Sequence, residues 1–95
     1  MMYRVYQLRK EFFHGRAFRS YEEIKREFGE PQKEWYNLVY ESEGDLTPEE
    51  MFYMFNMERP EDFKGHSLSV SDVVWAEDGY WFCDDFGWAE LNWGE

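Results

Sequence analysis

Cysteine is almost missing from this chain. Cys83 stands alone among 95 residues, so no internal disulfide can form and the core must hold without a covalent staple. Long apolar runs are missing too. Nothing approaches the roughly 20 apolar residues that cross a bilayer, and the opening Met1-Met2-Tyr3-Arg4-Val5-Tyr6 lacks the apolar stretch of a secretory signal. The expectation is a cytoplasmic protein with no membrane partner. No repeat, linker or low-complexity segment interrupts the chain, and its length suits one domain, 1–95, and not two.

Basic residues are scarce in one part of the chain. Residues 41–95 hold only Arg59 and Lys64 against fifteen acidic residues, a net of −13, whereas residues 1–40 hold eight basic against six acidic, a net of +2. Neutralising a phosphate backbone takes Lys and Arg, which argues against direct nucleic-acid contact by the acidic part. A protein with a basic surface is its natural complement; the plain alternative is charge that keeps an aromatic-rich protein soluble.

Aromatic residues are abundant, at 22% of the chain. Each can bury about 150–250 Å², so a few of them fill a small core and the remainder are left partly exposed, as at interfaces.

Local patterns predict the elements. Residues 2–8 alternate as a strand, with Tyr3 and Val5 on one side and Tyr6 and Leu8 on the other. Residues 9–19 read as a basic loop or hairpin tip anchored by Phe12, Phe13 and Phe18. Ser20 and Glu23 stand at capping-box spacing and open a helix with Tyr21, Ile24 and Phe28 on one face, closed by Gly29 and Pro31. Residues 35–41 read as a second strand with Tyr36, Leu38 and Tyr40 on one face. Thr47-Pro48-Glu49-Glu50 starts a second helix through Met51, Phe52, Met54 and Phe55. Residues 68–75 look extended, and Asp78-Gly79 predicts a hairpin turn between residues 73–77 and 80–84. The tail, 86–93, adds a short strand. The whole predicts an α+β domain: a small antiparallel sheet of about four to five strands with two helices packed on it.

The run Phe63-Lys64-Gly65-His66-Ser67-Leu68-Ser69-Val70-Ser71-Asp72-Val73-Val74, with the opening Tyr3-Arg4-Val5-Tyr6-Gln7-Leu8, resembles the YodL-like domain. Tyr36-Asn37-Leu38-Val39-Tyr40, Met51-Phe52-Tyr53-Met54-Phe55-Asn56 and Phe82-Cys83-Asp84-Asp85-Phe86-Gly87 are similar to further pieces of that domain, so the resemblance covers nearly the whole chain. It implies an accessory module of Gram-positive bacteria, their phages and conjugative elements, and it transfers no catalytic motif. The chain departs from the pattern at Asp85, where a small polar residue is usual, and in the tail with Trp88, Glu90 and Trp93.

His66, Ser67, Ser69, Ser71 and Asp72 invite a nucleophilic reading, but in an extended segment the serines point away from His66 and Asp72; a turn leading into a strand fits better. Asp72, Asp84 and Asp85 have the chemistry to hold a hard cation, and a solvated acidic edge fits the same residues. Cys83 reads as a small buried apolar residue. Asp85-Phe86-Gly87 matches a kinase tripeptide with the other kinase elements missing, and reads as a strand-to-turn junction.

No catalysis and no cofactor are expected. The leading expectation is an inhibitor of mobile-element or phage type, in which an acidic surface engages a basic groove on a host nucleic-acid-binding defence protein such as a nuclease, as an anti-CRISPR or anti-restriction factor or DNA mimic. The alternative is a protein–protein module acting through its tryptophans. The candidate partner-binding residues are Glu58, Glu61, Asp62, Asp72, Trp75, Glu77, Asp78, Trp81, Asp84, Asp85, Trp88 and Glu90.

Overall fold

The computed structural model describes residues 1–94. Strand β1 (Met2–Leu8) is followed by a short helix α1 (Lys10–Phe13), helix α2 (Tyr21–Phe28), a 3-10 turn (Lys33–Trp35) and strand β2 (Tyr36–Glu43). Helix α3 (Pro48–Met57) then leads through a long loop to β3 (Val73–Ala76), β4 (Gly79–Cys83) and β5 (Trp88–Leu91). Every strand pairing is antiparallel and the order is β2-β1-β3-β4-β5. This is the α+β architecture that the residue patterns predict. No helix among the described residues is long and apolar enough to cross a membrane.

The two longer helices start where the sequence says they must. Ser20 Oγ accepts the Glu23 N–H, and the Glu23 carboxylate accepts the Ser20 N–H. Thr47 and Glu50 repeat the device. Each box satisfies two amides that an open helix end leaves without partners.

Alternation along the strands gives the sheet two apolar faces, and both are covered. On one, Tyr3, Val5, Val74 and Ala76 pack with Met51 and Phe55 of α3 and with Phe63 and Leu68 of the following loop. On the other, Tyr6, Val73, Tyr80, Phe82 and Leu91 pack with Ile24 of α2 and with Trp35 and Tyr36. Aromatic rings dominate both. Phe55 and Phe63 meet edge to face at 4.9 Å, as do Trp75 and Tyr80 at 4.8 Å. Arg16 is held on the second face by three rings, with its guanidinium 5.0, 4.0 and 4.4 Å from Phe12, Phe28 and Trp35. Its buried Nε has no hydrogen-bond acceptor among the described residues, and the ring faces attract the cation instead.

Four local expectations are corrected. The segment read as a loop contains the helical turn α1, whose Phe12 stacks on Trp35 at 6.2 Å. Strand β2 does not keep one alternation: Val5 faces Tyr40 while Tyr6 faces Leu38, so Val39 is an extra residue at a bulge. The bulge sends Tyr36 into one core, sends Val39 and Tyr40 to the other and leaves Leu38 exposed. Residues 68–72 are not extended. Ser71 takes φ +87° and the Asp72 N–H donates to Ser69 O, so the chain turns before entering β3.

Finally, the hairpin turns on Glu77-Asp78 (φ +53° and +60°) and not on Asp78-Gly79, because Ala76 pairs with Gly79. Gly79 serves a different purpose. The Trp81 indole folds back to donate to Ala76 O at 2.8 Å, and a Cβ at Gly79 would stand 3.3 Å from its Nε1.

Candidate functional site

The sequence block most specific to the resemblance builds a clasp. Gln7 lies on β1 and is buried. Its Nε2 donates to His66 O at 2.9 Å and to the Asp72 carboxylate at 3.1 Å, while its Oε1 accepts the His66 N–H at 3.2 Å. One amide thereby satisfies its full set of donors and binds both ends of a loop distant in sequence. Gly65 is glycine because a Cβ there would collide with Gln7 Oε1 and the Phe63 ring. The same Asp72 oxygen accepts the Ser69 N–H at 2.9 Å. Ser71 Oγ accepts the Phe18 N–H, and Ser71 O accepts the Tyr36 hydroxyl at 2.7 Å.

These contacts account for the residues that invited a nucleophilic reading. Ser69 Oγ donates to Ser67 O, and His66 Nδ1 lies 2.8 Å from Ser67 O, which assigns the ring proton to Nδ1. Asp72 is 2% exposed. Burial pushes its pKa up to about 8, against the lowering effect of the Ser69 and Gln7 hydrogen bonds. Burial likewise pushes the Cys83 thiol up to about 12; it is a packed core residue. Asp72 is therefore corrected as a partner-binding candidate, because its carboxylate is enclosed by the clasp and cannot meet a partner.

The other eleven candidates are dispersed. Glu77 and Asp78 are exposed at the hairpin tip, and Glu77 lines a shallow cavity with Asp45 at that end of the sheet. Glu58, Glu61 and Asp62 are exposed just beyond α3, where Asp62 accepts the Tyr40 hydroxyl. Glu90 lines a polar cleft of about 540 Å³ with Glu30, Glu34, Lys33 and Trp93. Trp75 and Trp81 are half-buried on opposite faces of the sheet. They do not form one surface, because adjacent residues on paired strands alternate sides.

Asp84, Asp85 and Trp88 bring carboxylates and an aromatic side chain into one groove. They line a groove of about 330 Å³ between α3 and the β4–β5 turn, with Glu49, Phe52, Cys83 and Gly87. Asp84 Oδ1 accepts the Asp85 N–H at 2.9 Å and the Tyr21 N–H of α2 at 3.0 Å, while the Asp84 N–H donates to Gly87 O. Gly87 closes the turn at φ +84°. The residue this turn presents is Phe86, 92% exposed. Phe52 is 42% exposed and meets the Trp88 ring edge to face at 6.5 Å.

Phe86, Phe52 and Glu49 are absent from the sequence-derived candidates. Their signals were present. Phe86 is a large apolar residue between two aspartates and a glycine, where a turn cannot bury it. Phe52 follows Met51 by about 100° around the helix, away from the core stripe of Met51 and Phe55. Among the described residues, no three His, Cys, Asp or Glu gather in a way that could hold a metal ion.

No curated protein and no solved structure matches the chain. The YodL-like domain matches residues 2–93. That match covers every residue of the sheet and its helices, and the chain belongs to the YodL-like domain family.

Proposed function

We propose that this chain is a binding module for a partner protein with a basic surface. The observation that carries the reading is the placement of the carboxylates of residues 41–95. Glu43, Glu49, Glu50, Glu58, Glu61, Glu77, Asp78, Asp85 and Glu90 are all exposed, in a part of the chain with only two basic residues. Such a field steers a cationic partner and speeds association at low salt. Exposed aromatic residues beside it supply the apolar contacts that charge alone does not. The residues that invite a catalytic reading hold a loop instead, which favours binding over catalysis.

The second reading keeps the module but makes it an inhibitor, encoded by a phage or mobile element, of a host nucleic-acid-binding defence protein. The net charge of −13 over residues 41–95 favours it. The carboxylates stand in separate groups, at the hairpin tip, beyond α3, in the cleft of Glu90 and in the groove of Asp84 and Asp85, which supports the general module over a phosphate mimic.

Capture of partners from a Gram-positive lysate at low salt, followed by elution in a salt gradient, tests both. A partner released as salt rises supports the module, and if that partner binds nucleic acid and loses activity on adding this chain, the inhibitor reading stands. Retention of nothing above a charge-matched control protein would sink the module reading.

A further inference from the structure

We infer that the groove between α3 and the β4–β5 turn is the docking surface of this chain, and that its occupant is a protein segment carrying an arginine or lysine next to a bulky apolar residue. The inference rests on the binding-module reading and assigns the surface and the recognition chemistry.

Phe86 sets the argument. Covering a phenylalanine removes a large apolar surface from water, and this fold leaves the residue almost fully exposed. Its turn is nevertheless held in place. The Asp84 carboxylate ties it to the first residue of α2, and a backbone hydrogen bond from Asp84 to Gly87 closes it. A side chain presented on a fixed turn loses little freedom when a partner covers it, so most of the apolar gain goes to binding.

The groove beside it selects the occupant by charge. Glu49, Asp84 and Asp85 line it, and no lysine or arginine does. Phe52 and Trp88 stand nearly perpendicular, at 83°, within the same groove. Aromatic faces with carboxylates at their edge attract a guanidinium or ammonium from both sides: the ring quadrupole meets the cation face-on and the carboxylate accepts its N–H groups. A neutral apolar peptide would desolvate the Glu49 and Asp85 carboxylates without supplying them a donor, and an acidic one would be repelled. An apolar residue flanking the cation would cover Phe86.

The probe is an amidated eight-residue peptide of alternating leucine and arginine, compared with the same peptide carrying citrulline for arginine. Binding to the isotope-labelled full chain is followed by NMR at 0.15 M NaCl. The expected result is saturable movement of the Trp88 indole and of the Phe86 and Gly87 amides. Affinity should be about 10-fold weaker for the citrulline peptide and for the Phe86→Ser chain. The proposal is overturned by no saturable shift, by equal shifts at Glu77–Asp78 and Glu58–Asp62, or by affinity unchanged in Phe86→Ser.

A second arm separates this failure from that of the module. If a partner captured from lysate is retained equally by a Phe86→Ser/Asp85→Asn chain, the surface assignment falls and the module stands. If no partner is captured, the module falls, and the peptide titration still decides what the groove binds.

Discussion

The loop of residues 65–72 and the turn of residues 84–87 are both short, irregular and built around an aspartate, yet they face opposite ways. In the loop, Asp72 is buried and its carboxylate gathers donors from Gln7 and Ser69. In the turn, Asp84 gathers donors from Tyr21 and Asp85, but the product is a phenylalanine pushed into water. The first uses polar groups to close the molecule, and the second uses them to hold an apolar group open. A motif specific enough to carry a family resemblance can therefore be structural, while a less specific neighbour leaves a large apolar side chain in water.

The largest effect is expected where the loop depends on one residue. Gln7→Ala removes both donors and the acceptor, leaving the buried Asp72 carboxyl and the part-buried His66 N–H and carbonyl without that partner. Each unsatisfied buried group costs about 1–3 kcal/mol, so a loss of about 3 kcal/mol is expected in urea unfolding. A loss under about 0.5 kcal/mol would show that the clasp does not hold the loop.

Asp72 gives the contrast a pH dependence. Its pKa is raised from 3.8 to about 8, so the folded state binds a proton more tightly than the unfolded chain. The corresponding stability is fully present below pH 3.8 and is lost as pH rises toward and through 8. Asp72→Asn cannot ionise and keeps an oxygen for Ser69 and Gln7. Measured as urea midpoints, its stability relative to the native chain should rise between pH 5 and pH 8.5. A constant difference across that range would mean that Asp72 titrates normally despite its burial.

A smaller effect tests the hairpin, a third irregular segment. Glu77 and Asp78 both occupy the left-handed region, which is unfavourable for most L-residues. The Glu77→Asn/Asp78→Gly chain supplies the residues this turn prefers. It should gain about 1 kcal/mol, which at this size raises Tm by about 4–8 °C. An unchanged Tm would indicate that the fold compensates the strain elsewhere.

Much of this architecture was legible in the sequence, because local rules govern it. Both capping boxes, the first strand and the α+β class follow from spacing within a few residues. The bulge at Val39 was not legible, because it appears only when β1 lies alongside. The hairpin register was misread because Asp78-Gly79 is the stronger turn signal taken alone. The observed register instead pairs Trp75 with Tyr80 and gives Trp81 room over Gly79. Of the candidate site, Asp84, Asp85 and Trp88 were legible as acidic and aromatic residues near one another in sequence. Glu49 and Phe52 were not, since they join the groove only through the packing of α3. Asp72 was misplaced because composition counts a carboxylate without showing which way it points.

The smallest expected effect on stability carries the most weight for the comparison. Phe86→Ser removes a side chain that touches almost nothing in the folded chain, so its urea midpoint should move by no more than the equivalent of about 0.5 kcal/mol. Tyr21 and Asp84 still hold the turn in that variant, because their hydrogen bond uses no atom of Phe86. Binding to a partner should nonetheless fall. A residue whose loss leaves the fold intact and weakens association belongs to the outward-facing turn, whereas Gln7→Ala should weaken both together. If Phe86→Ser instead lowers stability as much as Gln7→Ala does, the phenylalanine is covered within the folded chain in solution, and the turn is a second clasp.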